Sequence, residues 1–268
     1  MPRVDLRRTL FVLPNLITLA SIFCGFNAIR VVSLDNPTTD DFYRAAILLC
    51  FAMLFDTLDG RVARMTRTQS AFGLQLDSLA DIVSFGVAPS VLVYKWALYR
   101  YPVPGLFVGF MFTACGAIRL ARFNVLSSSP GAGAPVQPSK FTVGLPIPPA
   151  SGILISLLLA NYAVGGALSD ERYTLAIFGV TIVLSLLMVS SFTFRSFKEL
   201  SFNVGTALLV MFAIGSSAFV WQYGKPQFVL VWLLCFYVFI GLVETVRALP
   251  ERFRRRRQEE SSGGFEQS

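Results

Sequence analysis

The 268-residue chain contains no histidine. That removes the side chain most often used as a general base near neutral pH, and also the commonest nitrogen ligand for transition metals. Acid–base chemistry must therefore come from Asp, Glu, Lys, Tyr or Cys. Cysteine is scarce too. Cys24, Cys50, Cys115 and Cys235 lie singly within apolar stretches and show no CxxC spacing, which fits small buried hydrophobes rather than a metal site or a disulfide framework. Charge is thin: Asp, Glu, Lys and Arg make up 15% of the residues while 54% are hydrophobic. The mean hydropathy is +0.61. An ordinary soluble domain carries about 25% charged residues.

The apolar residues come in runs, and about 20 such residues span a bilayer. Eight segments qualify, near 10–32, 43–64, 74–99, 104–124, 146–166, 173–192, 203–222 and 226–247. The first is read as a spanning helix rather than a cleaved leader. Pro14 is expected in its first turn, where a missing N–H costs little. Turn formers mark the connectors: Asn36-Pro37 in one, and Pro130, Gly131, Gly133, Pro135 and Pro138 in another. The fold expected is all-α, a polytopic membrane helical bundle of about eight transmembrane helices. Residues 1–200 would form the catalytic membrane domain, 201–248 two further transmembrane helices of that domain, and 249–268 a basic then polar cytosolic tail.

The net charge of +7 suits an anionic membrane surface, and the long apolar runs favour that over nucleic acid. With the N-terminus placed in the cytosol, all but six of the 23 Lys and Arg fall on cytosolic ends. The six are Arg30, Arg44, Lys95, Arg100, Arg172 and Lys225. This bias predicts a multi-pass membrane protein with both termini cytosolic.

The informative stretch is DTLDGRVARMTRTQSAFGLQLDSLAD, residues 56–81. Asp56 and Asp59 lie three apart near the cytosolic end of the second predicted helix. Asp77 and Asp81 lie four apart at the start of the third. Each pair shares a helix face, and the short turn between the helices lets the pairs face each other. Four carboxylates at a membrane helix end are too costly to leave uncompensated. They either take up protons, as in an ion-coupled transporter, or bind divalent cations. Oxygen-only ligands favour Mg²⁺, Mn²⁺ or Ca²⁺ over zinc. Two divalent ions would balance four negative charges and suit displacement at phosphorus. Gly60, Ala63 and Gly73 leave room for a ligand or for close helix packing, and Arg64 and Arg67 supply positive charge for phosphate oxygens.

The pattern Asp56-x2-Asp59-Gly60-x2-Ala63-Arg64-x8-Gly73-x3-Asp77-x3-Asp81 resembles the CDP-alcohol phosphatidyltransferase signature at every fixed position. The resemblance implies a six-helix catalytic core and two divalent ions, Mg²⁺ or Mn²⁺, on Asp56, Asp59, Asp77 and Asp81. It implies Asp81 as general base, a CDP-lipid site lined by Gly60, Ala63, Arg64 and Gly73, an active site on the cytosolic side, and a homodimer. Pro14-Asn15-Leu16-Ile17-Thr18 is similar to the family's opening motif beside the nucleotide, which adds Asn15 and Thr18 to that site; Arg67 joins them by its charge.

Three further segments resemble the branch whose acceptor is L-serine: Arg119-Leu120-Ala121-Arg122-Phe123-Asn124, the run Phe141 to Pro148, and Ser196-Phe197-Lys198. Phe194-Arg195 stand where that branch is expected to have Tyr-Pro. The implied reaction transfers a phosphatidyl group from CDP-diacylglycerol to L-serine, giving phosphatidylserine and CMP. Arg119, Arg122, Lys140 and Lys198 are the cations expected to hold the serine carboxylate, Arg122 foremost. A glycerol 3-phosphate or inositol phosphate acceptor would also want cations, so charge alone leaves the acceptor open. The last two predicted helices carry no assigned motif.

Overall fold

The computed structural model describes residues 6–66, 68, 70–128, 141–166, 170–190, 192–195, 216–217, 221–222 and 228–241. Helix α1 spans Leu6–Val32 and α2 spans Thr39–Met65. At 1.5 Å per residue each 27-residue helix is about 40 Å long, enough to cross a bilayer core of about 30 Å. A capping box starts α2: the Thr38 hydroxyl accepts from the Asp41 N–H, and the Asp41 carboxylate accepts from the Thr38 N–H at 2.9 Å. These Thr38 hydrogen bonds, backbone first, hold the Asp41 carboxyl below its ordinary range.

The third predicted helix is one rod in three parts. Helix α3 (Ala71–Asp81) passes into a π-helical turn (Ile82–Val87) and then α4 (Ala88–Trp96). The Ala88 N–H reaches back five residues to the Val83 carbonyl, and Pro89 has no N–H to resume the four-residue ladder. A 3₁₀ turn, Leu98–Arg100, leads to α5 (Pro102–Ser128). Helices α6 (Ile147–Ala163) and α7 (Glu171–Val189) follow, and a last apolar helix, α8, covers Phe228–Gly241.

Among the described residues, four helices are long and apolar enough to cross a membrane: Val12–Val32, Ala71–Trp96, Pro102–Val125 and Glu171–Val189. Phe23 and Phe107 on these helices are 66% and 67% exposed, as expected of side chains that meet lipid rather than water. The expected segments at 43–64 and 146–166 are helical as α2 and α6, though α2 is too charged and α6 too short to count as spans by composition and length. The segment at 203–222 falls mostly outside the described residues, and that at 226–247 is described only through α8.

The structure departs from the sequence expectation in two places. Pro14 sits eight residues inside α1 rather than in its first turn, because the helix extends back beyond the apolar run to Leu6. The Thr18 hydroxyl lies 3.0 Å from the Pro14 carbonyl. The all-α expectation also meets a small exception. Phe141–Val143 pairs antiparallel with Thr193–Arg195, Thr142 opposite Phe194. Gly144, at φ 79°, turns the chain out of this ribbon toward α6, and its N–H donates to the Phe192 carbonyl at 2.7 Å. The ribbon starts the run Phe141 to Pro148 singled out in the sequence, while Ser196-Phe197-Lys198 lies outside the described residues.

Small residues let the helices approach. The π turn crosses α1 so closely that a Cβ on Gly25 would stand 2.9 Å from Ser84 Cα. Ser84 Oγ donates to the Ser21 carbonyl at 3.0 Å and Ser21 Oγ donates to the Ala52 carbonyl at 3.1 Å. These bonds stitch α1, α2 and the rod where water is absent. Ala28, Ala45, Ala46 and Ala52 are buried on the same seam, with Leu49 and Phe85 filling the remaining space.

Candidate active site

Helix α1 packs against both α2 and α3, and the chain turns between the latter two within Thr66 to Ser70. The gap between them is a cavity of about 270 Å³. Its lining alternates in chemistry. Asp59 and Asp77 are acidic, Arg64 is basic, Asn15, Thr18, Thr68 and Ser70 are polar, and Gly60, Ala63 and Gly73 are small. Ordinary ligand pockets begin at about 300 Å³.

The carboxylates meet at one end. One oxygen each of Asp56, Asp59 and Asp77 lies within 4.8 Å of the others. Asp81 stands next to them, with Asp56, Asp77 and Arg119 as its electrostatic neighbours. The Thr18 hydroxyl donates to Asp59 Oδ2 at 2.6 Å, so α1 fixes the orientation of a carboxylate on α2. Asp81 Oδ1 is sealed from solvent and has no hydrogen-bond partner among the described residues. Buried polar atoms of this kind are rare and call for a bound group. An all-oxygen donor set, converging carboxylates and an orphaned carboxylate oxygen together fit a divalent cation, and the Asp cluster can hold one.

Of the residues expected at a CDP-lipid site, Asn15, Thr18, Gly60, Ala63, Arg64 and Gly73 all line this cavity. Arg67 lies outside the described residues. Pro14, part of the motif expected beside the nucleotide, also lines the cavity; Thr68, Ser70 and Leu74 line it too and were missed by sequence reasoning. Ser70 caps α3 by accepting from the Gly73 N–H at 3.0 Å, and the buried Thr68 hydroxyl bonds that of Thr66 at 2.7 Å. The signal for Ser70 was present: a serine three residues ahead of Gly73 is a helix N-cap pattern.

A Cβ on Gly60 would meet nothing closer than Arg64 Nη1 at 3.6 Å. Gly60→Ala should therefore leave the thermal transition unchanged or slightly raised, since alanine favours helix by up to about 1 kcal/mol. Its expected cost is a several-fold rise in the KM of the ligand that fills the cavity. A lowered transition with unchanged KM would show that Gly60 serves helix packing alone.

The four cations proposed for an acceptor fare differently. Arg119 on α5 is partly buried, faces Asp81, and keeps an Nε without a hydrogen-bond partner among the described residues. Arg122, one turn on, is exposed. Lys140 and Lys198 lie outside the described residues. Asn124 Nδ2 donates to Ser78 Oγ at 3.0 Å and so ties the end of α5 to the helix that carries Asp77 and Asp81.

A model of the CDP-alcohol phosphatidyltransferase family matches residues 11–187. Among curated proteins, the CDP-diacylglycerol–serine O-phosphatidyltransferase of Helicobacter pylori J99 is 34% identical over 240 residues, 88% of this chain and 92% of that protein. The protein of the same description from Mycobacterium tuberculosis H37Rv is 34% identical over 225 residues, 83% of this chain and 74% of the relative. An archaetidylserine synthase of Methanothermobacter thermautotrophicus is 37% identical over 191 residues, 70% of this chain and 71% of the relative.

Proposed function

The chain belongs to the CDP-alcohol phosphatidyltransferase family, and from that premise we propose that it transfers a phosphatidyl group from CDP-diacylglycerol to L-serine, releasing CMP. The observation that carries the assignment is the convergence of the aspartates at the end of a cavity lined by Arg64, Gly60 and Gly73. Serine as acceptor rests on the relatives' descriptions and on one feature of the site, the partly buried Arg119 beside Asp81.

The cytidine diphosphate lies in the cavity. Gly60, Ala63 and Gly73 let it approach the helix backbones, and Arg64 meets phosphate oxygens. Asn15 and Thr18 of α1 flank it. Two divalent ions, Mg²⁺ or Mn²⁺, held by Asp56, Asp59, Asp77 and Asp81, would supply positive charge to the phosphoryl oxygens in the transition state. Asp81 takes the proton of the serine hydroxyl, the role that the family resemblance implies for it. The serine oxygen forms its bond to the lipid-bearing phosphorus as the bond from that phosphorus to the CMP oxygen breaks. Arg119, beside Asp81, holds the serine carboxylate. With both substrates bound together, no covalent enzyme intermediate is needed. The active site and both termini are assigned to the cytosol on the distribution of Lys and Arg. A homodimer is carried over from the family resemblance.

The acceptor assignment is tested by two KM values on each of two variants. A charge-assisted hydrogen bond contributes about 1.5–3 kcal/mol, so Arg119→Ala should raise the serine KM roughly ten-fold to a hundred-fold and leave that of CDP-diacylglycerol nearly unchanged. Arg119→Lys should rescue only in part, since the planar fork is lost. Arg122→Ala, at an exposed position, should have the smaller effect. The reverse order would return the carboxylate to Arg122.

A further inference from the structure

Helix α8 lies beyond the end of the family match at residue 187, and no motif in it pointed to chemistry. Yet its inner face meets α6 beside α2, the helix that carries Asp56 and Asp59. Leu234 Cδ1 and Met53 Cε converge on Gly152 of α6, 3.1 and 3.4 Å from where a Cβ would stand. Met53 is one turn before Asp56 on α2, and Tyr237 is three residues after Leu234 on α8. Residues three apart share a helix face, so Tyr237 lies on the face of α8 that meets α6 and α2 at Gly152. Tyr237 is packed, partly buried, against the main hydrophobic core. Among the described residues, Asp81 and Tyr237 are the electrostatic neighbours of the Arg119 guanidinium.

We infer that Tyr237 is a positioning residue for the acceptor site, its phenol oxygen accepting a hydrogen bond from the Arg119 guanidinium so that the remaining donors point at the carboxylate of the incoming amino acid. The inference rests on the proposed acceptor reading and extends it to the C-terminal part of the chain. A guanidinium offers five donors in a fixed plane and accepts none, so a single well-placed acceptor sets the orientation of the whole fork. Asp81 cannot take that part alone, because it must give its oxygens to the cation site and to the proton of the acceptor hydroxyl. Tyr237 is uncharged and outside the donor set, so it can hold the arginine without competing for the cation.

The experiment measures KM for L-serine and for CDP-diacylglycerol, with kcat, in membranes containing the full chain, so that no variant has to survive purification. Tyr237→Phe keeps the ring and its packing and removes only the oxygen. It should raise the serine KM about five-fold or more, with the CDP-diacylglycerol KM and kcat changed less than two-fold. In an Arg119→Lys background the same substitution should add less than two-fold, since the two residues act as one unit. Leu234→Ala, which loosens the same helix at Gly152, should hasten thermal inactivation in the same membranes and leave the serine KM unchanged. An unchanged serine KM in Tyr237→Phe, or an effect undiminished in the Arg119→Lys background, overturns the inference. So does a parallel rise of both KM values. If Arg119→Ala itself leaves the serine KM unchanged, the acceptor reading falls first; if only Tyr237→Phe is silent, that reading stands and this inference does not.

Discussion

Asp81→Asn should lower kcat by roughly 10²–10⁴-fold, the usual share of a positioned general base. Asparagine fills the same volume and still offers an oxygen, so the helix and its packing are kept. What it cannot do is take a proton from the acceptor hydroxyl. Two observations set this aspartate apart from Asp59. Asp59 is occupied by the Thr18 hydroxyl at 2.6 Å, whereas Asp81 keeps a buried Oδ1 with no partner among the described residues. Arg119 stands beside it, where an acceptor carboxylate would be held. In the proposed reading CDP-diacylglycerol fills the cavity lined by Asn15, Gly60, Gly73 and Asp77, which Asp81 does not line, so its affinity should fall only a few-fold. Equilibrium binding of the nucleotide lipid and single-turnover rates on the same variant separate the two effects. Near-normal kcat would mean that another group is the base.

Chelation is expected to reduce turnover to background, with Mg²⁺ or Mn²⁺ restoring it. The argument is electrostatic. Asp56, Asp59 and Asp77 bring oxygens within 4.8 Å of each other, and Asp81 adds a fourth carboxylate. Close carboxylates in a poorly hydrated setting repel unless cations intervene. A second readout needs no substrate. A cation that binds the folded chain alone stabilises it by RT ln(1 + [L]/Kd), about 2.7 kcal/mol at a hundred times Kd, so the thermal transition should rise with Mn²⁺ concentration. Asp77→Asn should weaken that rise, and Arg122→Ala should not. A transition indifferent to divalent ions, together with full turnover in chelator, would remove the metal from the account.

The aspartates were legible in the sequence because their chemistry is incompatible with any bland explanation. Four acids spaced three and four apart, flanked by apolar runs, demand compensation whatever the tertiary structure. The small residues Gly60, Ala63 and Gly73 were legible as space but not as a particular space; only the packing of α1 against α2 and α3 shows that they open onto one cavity. The π turn after Asp81 was hidden because Ile82 to Val87 is apolar and helix-compatible, leaving Pro89 as a faint local sign. Arg119 and Arg122 lie about one turn apart on one helix face, so sequence spacing could not say which of them faces Asp81; the packing of α5 against the π turn that follows Asp81 decides it. Thr68 and Ser70 lay in a turn that looked like connection and turns out to be cavity wall. Tyr237 was invisible, since an isolated tyrosine in an apolar helix has no pattern, and its proximity to Arg119 comes from a fold that returns the chain from more than a hundred residues away.

The most direct test of the central claim follows CMP release by purified protein with CDP-diacylglycerol and Mn²⁺ or Mg²⁺. L-serine, glycerol 3-phosphate and inositol phosphate are offered separately. The account predicts CMP release with L-serine, matched mole for mole by phosphatidylserine, and little with the other two acceptors. Release driven by glycerol 3-phosphate or inositol phosphate instead, or release that needs no acceptor, would contradict it.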